Sequence, residues 1–189
     1  MLGIKSMPTK RRSIYKANER KEQPKLPQLS NFDDFIDVVL ITHFHLDHCG
    51  SLPYLTDFFS YSGPIVMTHP TMSIVPLMLN DFMKIQQNED YGKGLPTYSE
   101  GMIDRACALF KKIELLETLS FCDGDVLVKC YYAGHVLGAA MFYIQCGDES
   151  IVYTGDFNMT ADRHLAGAWI ERLRPTLLIT ETTYASTIR

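Results

Sequence analysis

No run in these 189 residues approaches the ~18–20 consecutive apolar residues that a membrane-spanning helix needs. These residues hold no helix of that kind, and a membrane is not among the expected partners. There is no C-x-x-C pair either. The five cysteines (Cys49, Cys107, Cys122, Cys130 and Cys146) are odd in number and scattered, which points to neither a zinc ribbon nor a disulfide framework. A reducing compartment accounts for them, most acting as small buried apolar residues. The positive charges near the N terminus are followed by no apolar segment, so they are not a secretory signal. Glu19 and Glu22 within them argue against a mitochondrial transit peptide. Histidine is scarce too, at six in the chain. Three of those six, with an aspartate, fall within six consecutive positions of "VVLITHFHLDHCG" (38–50).

Charge is unevenly spread. Residues 1–25 hold eight Lys/Arg against two acids, a net of +6, so a chain of net −4 carries −10 over the remainder. The segment "PTKRRSIYKANERKEQPKLPQ" has three prolines and few large apolar residues, the composition of a chain that stays disordered. Residues 1–30 are read as a basic disordered leader, either a solvated tail or a nucleic-acid or nuclear-import tract. Residues 31–189 are read as the folded part. At 46% hydrophobic overall, the chain can build one core or form part of a larger domain.

Short β-branched or apolar runs that end abruptly in polar residues predict strands at "FIDVVLITH", "PIVMTH", "ETLSFC", "DVLVKCYYA", "AMFYIQCG", "ESIVYTGD" and "PTLLITETTY". Helical spacing predicts helices within "HCGSLPYLTDFFSYSG", over "TMSIVPLMLNDFMKIQQ" with Pro76 in or near its first turns, and over "SEGMIDRACALFKKI" capped by Ser99. A further short helix is expected over "DRHLAGAWIERL", and a loop over "NEDYGKGLPTYSEG". The class is mixed α/β, with sheet and helix layers.

The pattern T-H-x-H-x-D-H follows an apolar strand. His43 and His45, two apart on extended backbone, point the same way and can grip one ion together. Asp47 and His48 lie in the loop beyond and can reach a second. Imidazole and carboxylate together suit zinc or a similar divalent ion. A surface run of histidines is the simpler alternative, but four ligand-type side chains in six residues after a buried strand favour metal. Two more ligand types stand at similar strand ends. His135 sits in the Gly-flanked turn "AGHVLG" and Asp156 follows Gly155 in "YTGDFN". Each alone reads as a turn residue; their shared setting makes them candidate ligands, and the Asp156 carboxylate can bridge two ions. Glu181 in "ITETTY" occupies the same kind of position and either orients a general-acid histidine or is an ordinary strand-end carboxylate. His69 is expected to cap a helix or stand behind the ligands, and His164 to be structural.

"HFHLDHCG", "AGHVLGAAMF", "YTGDFNMTADRHL" and "ITETTYA" occur in this order and together resemble successive motifs of the metallo-β-lactamase superfamily, in its β-CASP nucleic-acid-processing branch. Within that branch they are similar to the endonuclease subunits of pre-mRNA 3′-end cleavage and of the Integrator complex, and "MTHPT" with "YTGDFNMTADRHLAGAWI" favours the latter. The resemblance runs from about residue 35 to 189. It implies an αββα sandwich, here partial, without the first strands and without the β-CASP domain. It implies two zinc ions, one on His43, His45, His135 and Asp156 and one on Asp47, His48 and Asp156. Of two further family histidines that are not matched, one completes the second site, which is therefore incomplete here, and the other serves as general acid. It assigns Asp47 and Glu181 to the catalytic machinery. The implied reaction is hydrolysis of an RNA phosphodiester in small nuclear RNA precursors and nascent transcripts. Implied partners are RNA and the protein subunits of an Integrator-like or 3′-end-processing complex, in the nucleus, with the cytoplasm as a second location. Activity of the 189 residues alone is expected to be weak or absent. A non-catalytic scaffold and a thioester or lactam hydrolase of the same superfamily are the competing readings.

Overall fold

The computed structural model describes residues 2–4, 32–87 and 98–183. Strand β2 (Val38–Leu40) shows how the layers arise. Val38 and Leu40 point to one face, Val39 and the following Ile41 to the other, and all four are fully buried. A strand buried on both faces belongs between two layers. β2 pairs in parallel with β3 (Ile65–Thr68), which pairs in parallel with β4 (Phe110–Ile113); β1 (Leu2–Ile4) lies antiparallel along the other edge of β2. Parallel neighbours require crossovers. Helices α1 (Leu46–Cys49) and α2 (Leu52–Asp57) provide the first, α3 (His69–Gln86) and α4 (Glu100–Ala108) the second.

The second sheet is a meander. β5 (Thr118–Phe121), β6 (Val126–Tyr132), β7 (Ala140–Cys146) and β8 (Glu149–Tyr153) pair antiparallel in succession, and β9 (Leu177–Ile179) joins β8 in parallel. The sheets face each other through Val38, Leu40, Val66 and Ile113 on one side and Val126, Val128, Ala140, Phe142 and Ile144 on the other. Each large aliphatic or aromatic side chain so buried contributes about 1.5–3 kcal/mol. The opposite face of the first sheet packs Val39, Ile41, Ile65 and Met67 against the helices. Helix α3 supplies Val75, Leu79 and Met83, spaced four apart on one stripe.

The outer face of the second sheet is covered differently from expectation. Tyr131, Ala133, Ala139 and Met141 pack against Phe157, Ala168, Ile170 and Leu173, but the expected helix over 162–173 is not formed. Its backbone donors are used elsewhere: Ala168 N–H goes to the Asn158 carbonyl (2.7 Å) and Trp169 N–H to that of Tyr132 (3.0 Å). An N–H bonded to a distant carbonyl cannot also close a helical turn. The helix expected from Ser99 to Ile113 stops at Ala108, because Phe110–Ile113 pairs with β3. Ser99 has extended cap geometry but its side chain makes no capping hydrogen bond. Pro76 lies well inside α3, beyond the first turns. The leader read as disordered over 1–30 contributes β1 at its start; the rest of it, from residue 5, and the loop at 88–97 lie outside the described residues.

Candidate metal centre

Strand direction brings the candidate ligands together. β6 and β8 are each antiparallel to β7, and β9 is parallel to β8, so all three end on the same side of the sheet. His135 follows β6, Asp156 follows β8 and Glu181 follows β9. The end of β2 reaches that place from the other sheet, where the Ala140 N–H donates to the Thr42 carbonyl at 2.9 Å.

One donor atom each from His43, His45, His135 and Asp156 lies within 4.8 Å of the other three. His43 Nε2 is 2.9 Å from His45 Nδ1, and His135 Nε2 is 3.3 Å from that same Nδ1. Asp156 Oδ2 is 3.9 Å from His43 Nε2 and 3.7 Å from His135 Nε2. Donors bonded tetrahedrally to zinc at ~2.0–2.1 Å stand about 3.3–3.4 Å apart. The four-donor group brackets that spacing, so the residues fit a divalent ion of this kind.

Asp156 turns its second oxygen elsewhere. Oδ1 is 3.5 Å from His48 Nε2, which is also 3.3 Å from Asp47 Oδ2. A second, smaller set (Asp47, His48, Asp156) therefore meets the first through one carboxylate. Its members differ in access: the Asp47 side chain is 78% exposed, that of His48 only 15%.

Two of the imidazoles, those of His43 and His135, are held in their neutral form. Burial, followed by the neighbouring His48, His45 and His135, pushes His43 down to about 3. Burial also lowers His135, with the Asp156 carboxylate opposing and His45 adding to the shift. Both rings are neutral at pH 7, leaving a nitrogen lone pair free to coordinate.

Glu181 does not join the donors. Its Oε1 accepts the Phe157 N–H at 3.0 Å. Burial pushes its carboxyl up, but hydrogen bonds from Thr183 and Phe157 outweigh this and hold it below the usual range. His69 is the first residue of α3, exposed, with its carbonyl accepting the Ser73 hydroxyl, and it is not part of the donor group. His164 is exposed in the segment after Asp156.

The sequence reading missed the residues that frame the ligands. The Gly138 carbonyl, three residues past His135, accepts the hydroxyls of Thr68 (2.5 Å) and Thr71 (3.1 Å), tying that turn to the start of α3. Gly138 has φ +80°, and a Cβ there would stand 2.8 Å from the Pro70 Cβ. Gly155 has φ +52° and lies directly on the Thr42 side chain. Only the glycine flanking of His135 and Asp156 hinted at these contacts.

Residues 16–183 match the family model described as the metallo-beta-lactamase superfamily domain. The chain is 51% identical over 167 residues to Integrator complex subunit 11 of Gallus gallus, covering 87% of this chain and 27% of that protein. It is 47% identical over 159 residues to cleavage and polyadenylation specificity factor subunit 3-II of Arabidopsis thaliana, covering 84% and 25%. It is 39% identical over 166 residues to endoribonuclease YSH1 of Yarrowia lipolytica, covering 85% and 20%. The chain thus spans about a quarter of the length of these curated relatives. A match over most of the chain, on the two-sheet sandwich and histidine–aspartate group just described, places this chain in the metallo-β-lactamase superfamily.

Proposed function

We propose that this chain carries the metal-binding part of a zinc-dependent RNA endonuclease of the Integrator type, hydrolysing phosphodiester bonds in small nuclear RNA precursors and nascent transcripts. The main support is the group formed by His43, His45, His135 and Asp156, with His48 and Asp47 on the other oxygen of Asp156. The names of the relatives, an Integrator subunit, a cleavage and polyadenylation factor and an endoribonuclease, favour RNA over a thioester or a lactam. On this reading the partners are RNA and the subunits of an Integrator-like or 3′-end-processing complex, and the location is the nucleus.

Two zinc ions are assigned, one to His43, His45, His135 and Asp156, the other to Asp47, His48 and Asp156. Bound there, zinc supplies Lewis acidity toward a phosphoryl oxygen and toward the attacking water. The chain's own residues do the rest. Neutral His43 and His135 present lone pairs, and Asp156 holds the two sets at a fixed separation through its two oxygens. Asp47, the exposed carboxylate of the group and one of the residues assigned to catalysis, is the member that water and substrate can reach. Glu181 holds the loop after Asp156 by the Phe157 N–H.

Elemental analysis of the purified protein tests the assignment. At least one zinc per folded chain is expected, and it should be lost in His43→Ala. A folded protein that carries no zinc overturns it and favours the scaffold reading. Any cleavage of labelled RNA should disappear in Asp156→Asn; cleavage that survives that change does not come from this site.

A further inference from the structure

Thr42 is 1% exposed and lies where three segments of the site converge. Its hydroxyl is 3.1 Å from His43 Nδ1. Its carbonyl accepts the Ala140 N–H at the end of the His135 turn. Its side chain lies directly beneath Gly155, where an added Cβ would be 2.6 Å from the Thr42 methyl carbon and 2.8 Å from its Oγ1. One buried residue thus touches the first histidine of the donor group, the turn carrying the third, and the residue before the aspartate.

We propose that Thr42 is a positioning residue of the metal centre, its hydroxyl accepting the Nδ1–H of His43 and thereby fixing the imidazole tautomer and ring orientation. The reasoning follows from the two nitrogens of one ring. His43 Nε2 faces the donor group, 2.9 Å from His45 Nδ1. For Nε2 to carry a lone pair, the ring proton of the neutral imidazole must sit on Nδ1. A proton there, inside a fully buried ring, needs an acceptor, and the Thr42 oxygen lies at hydrogen-bond distance. The reverse arrangement, in which the hydroxyl donates to Nδ1, puts the proton on Nε2 and closes that nitrogen to an ion. Partners of this kind, which hold a ligand's second nitrogen, typically change metal affinity 10–100-fold when removed.

The inference rests on the metal reading above, and two measurements separate their failures. The first is the ¹H–¹⁵N correlation of the His43 ring in metal-free protein at pH 7. A protonated Nδ1 is expected; a protonated Nε2 overturns the proposal whatever the protein binds. The second is the affinity for Co²⁺, by competition with a chromophoric chelator, in the unaltered protein, Thr42→Val and Thr42→Ser. Valine keeps the branched shape against Gly155 and removes the hydroxyl, so affinity should fall roughly 10–100-fold. Serine keeps the hydroxyl, so affinity should stay within about threefold of the unaltered protein. Unchanged affinity in Thr42→Val overturns the proposal. Equal loss in both variants does so too, because packing on Gly155 would then be the cause. If the unaltered protein binds no Co²⁺ the metal reading fails, and if Thr42→Val does not fold the ring tautomer alone decides.

Discussion

Gly138→Ala tests whether the His135 turn is held as described. At φ +80° an alanine pays the left-handed penalty of about 1–2 kcal/mol. Its Cβ would also stand 2.8 Å from Pro70 Cβ, 2.9 Å from Thr68 Oγ1 and 2.9 Å from the Thr71 backbone nitrogen. Two of those neighbours are a ring carbon at the helix start and backbone, neither of which can swing aside, so overpacking adds about 1–3 kcal/mol. The expected loss is about 2–5 kcal/mol, a large share of the stability of a domain. Gly147→Ala is the control. It has φ +58° and nothing within 4 Å of its added Cβ, so it pays the left-handed penalty alone. Both changes restrict the unfolded chain equally, and that effect cancels in the comparison. Urea unfolding of the two variants should therefore differ by about 1–3 kcal/mol, the contact part alone. Equal losses would refute the close fit of the His135 turn against the start of α3.

Glu181 should act through its hydrogen bond rather than its charge. Glu181→Gln keeps an acceptor for the Phe157 N–H and should keep zinc affinity within about threefold, while Glu181→Ala should lose roughly tenfold; a Gln variant as weak as the Ala variant would show that the charge matters. At Asp33 burial raises the carboxyl, but hydrogen bonds from the Ser62 side chain, the Ser62 N–H and the Gly63 N–H hold it lower overall. A group with a depressed folded pKa contributes stability above its unfolded value, near ~4, that is lost as pH falls through the folded one. The stability gap between unaltered protein and Asp33→Asn should thus be present at pH 7 and shrink below about pH 4; a gap constant to pH 2 would refute it. Burial, with Glu114 and Glu117 adding, pushes the Cys130 thiol up to about 12. Iodoacetamide at pH 8 should leave Cys130 unmodified in folded protein and label it in denaturant, as peptide mass mapping would show.

The sequence revealed most where a signal is local. The candidate ligands His43, His45, Asp47 and His48 lie within six residues, and β2 before them announces itself by an unbroken apolar run. His135 and Asp156 were legible because each ends a strand that pattern alone identifies; that those strands share one direction follows from the hairpins joining them. Where tertiary partners decide, local pattern failed. Phe110 and Ile113 keep the three-residue spacing of α4, but pairing with β3 makes them strand. "HLAGAWIERL" has helix-forming composition, yet its N–H groups bond to Asn158 and Tyr132, which outweighs propensity. Thr42, Thr68 and Thr71 stand within quoted motifs, but the contacts they make with Gly155 and Gly138, far along the chain, leave no mark on local sequence.

The bonds that shape the donor group are made largely by groups that are not donors. Thr42 carbonyl to Ala140 N–H, Gly138 carbonyl to two threonines, and Glu181 to Phe157 N–H all tie segments of the chain to one another. In small zinc modules the ion supplies the folding energy, and a chelator unfolds them. Here bonds within the chain itself hold the four-residue group together, so an ion arriving there would be judged by its fit to a site the fold already shapes. Ion exchange and unfolding would then be separate events, and the choice of metal could change without redesigning the fold.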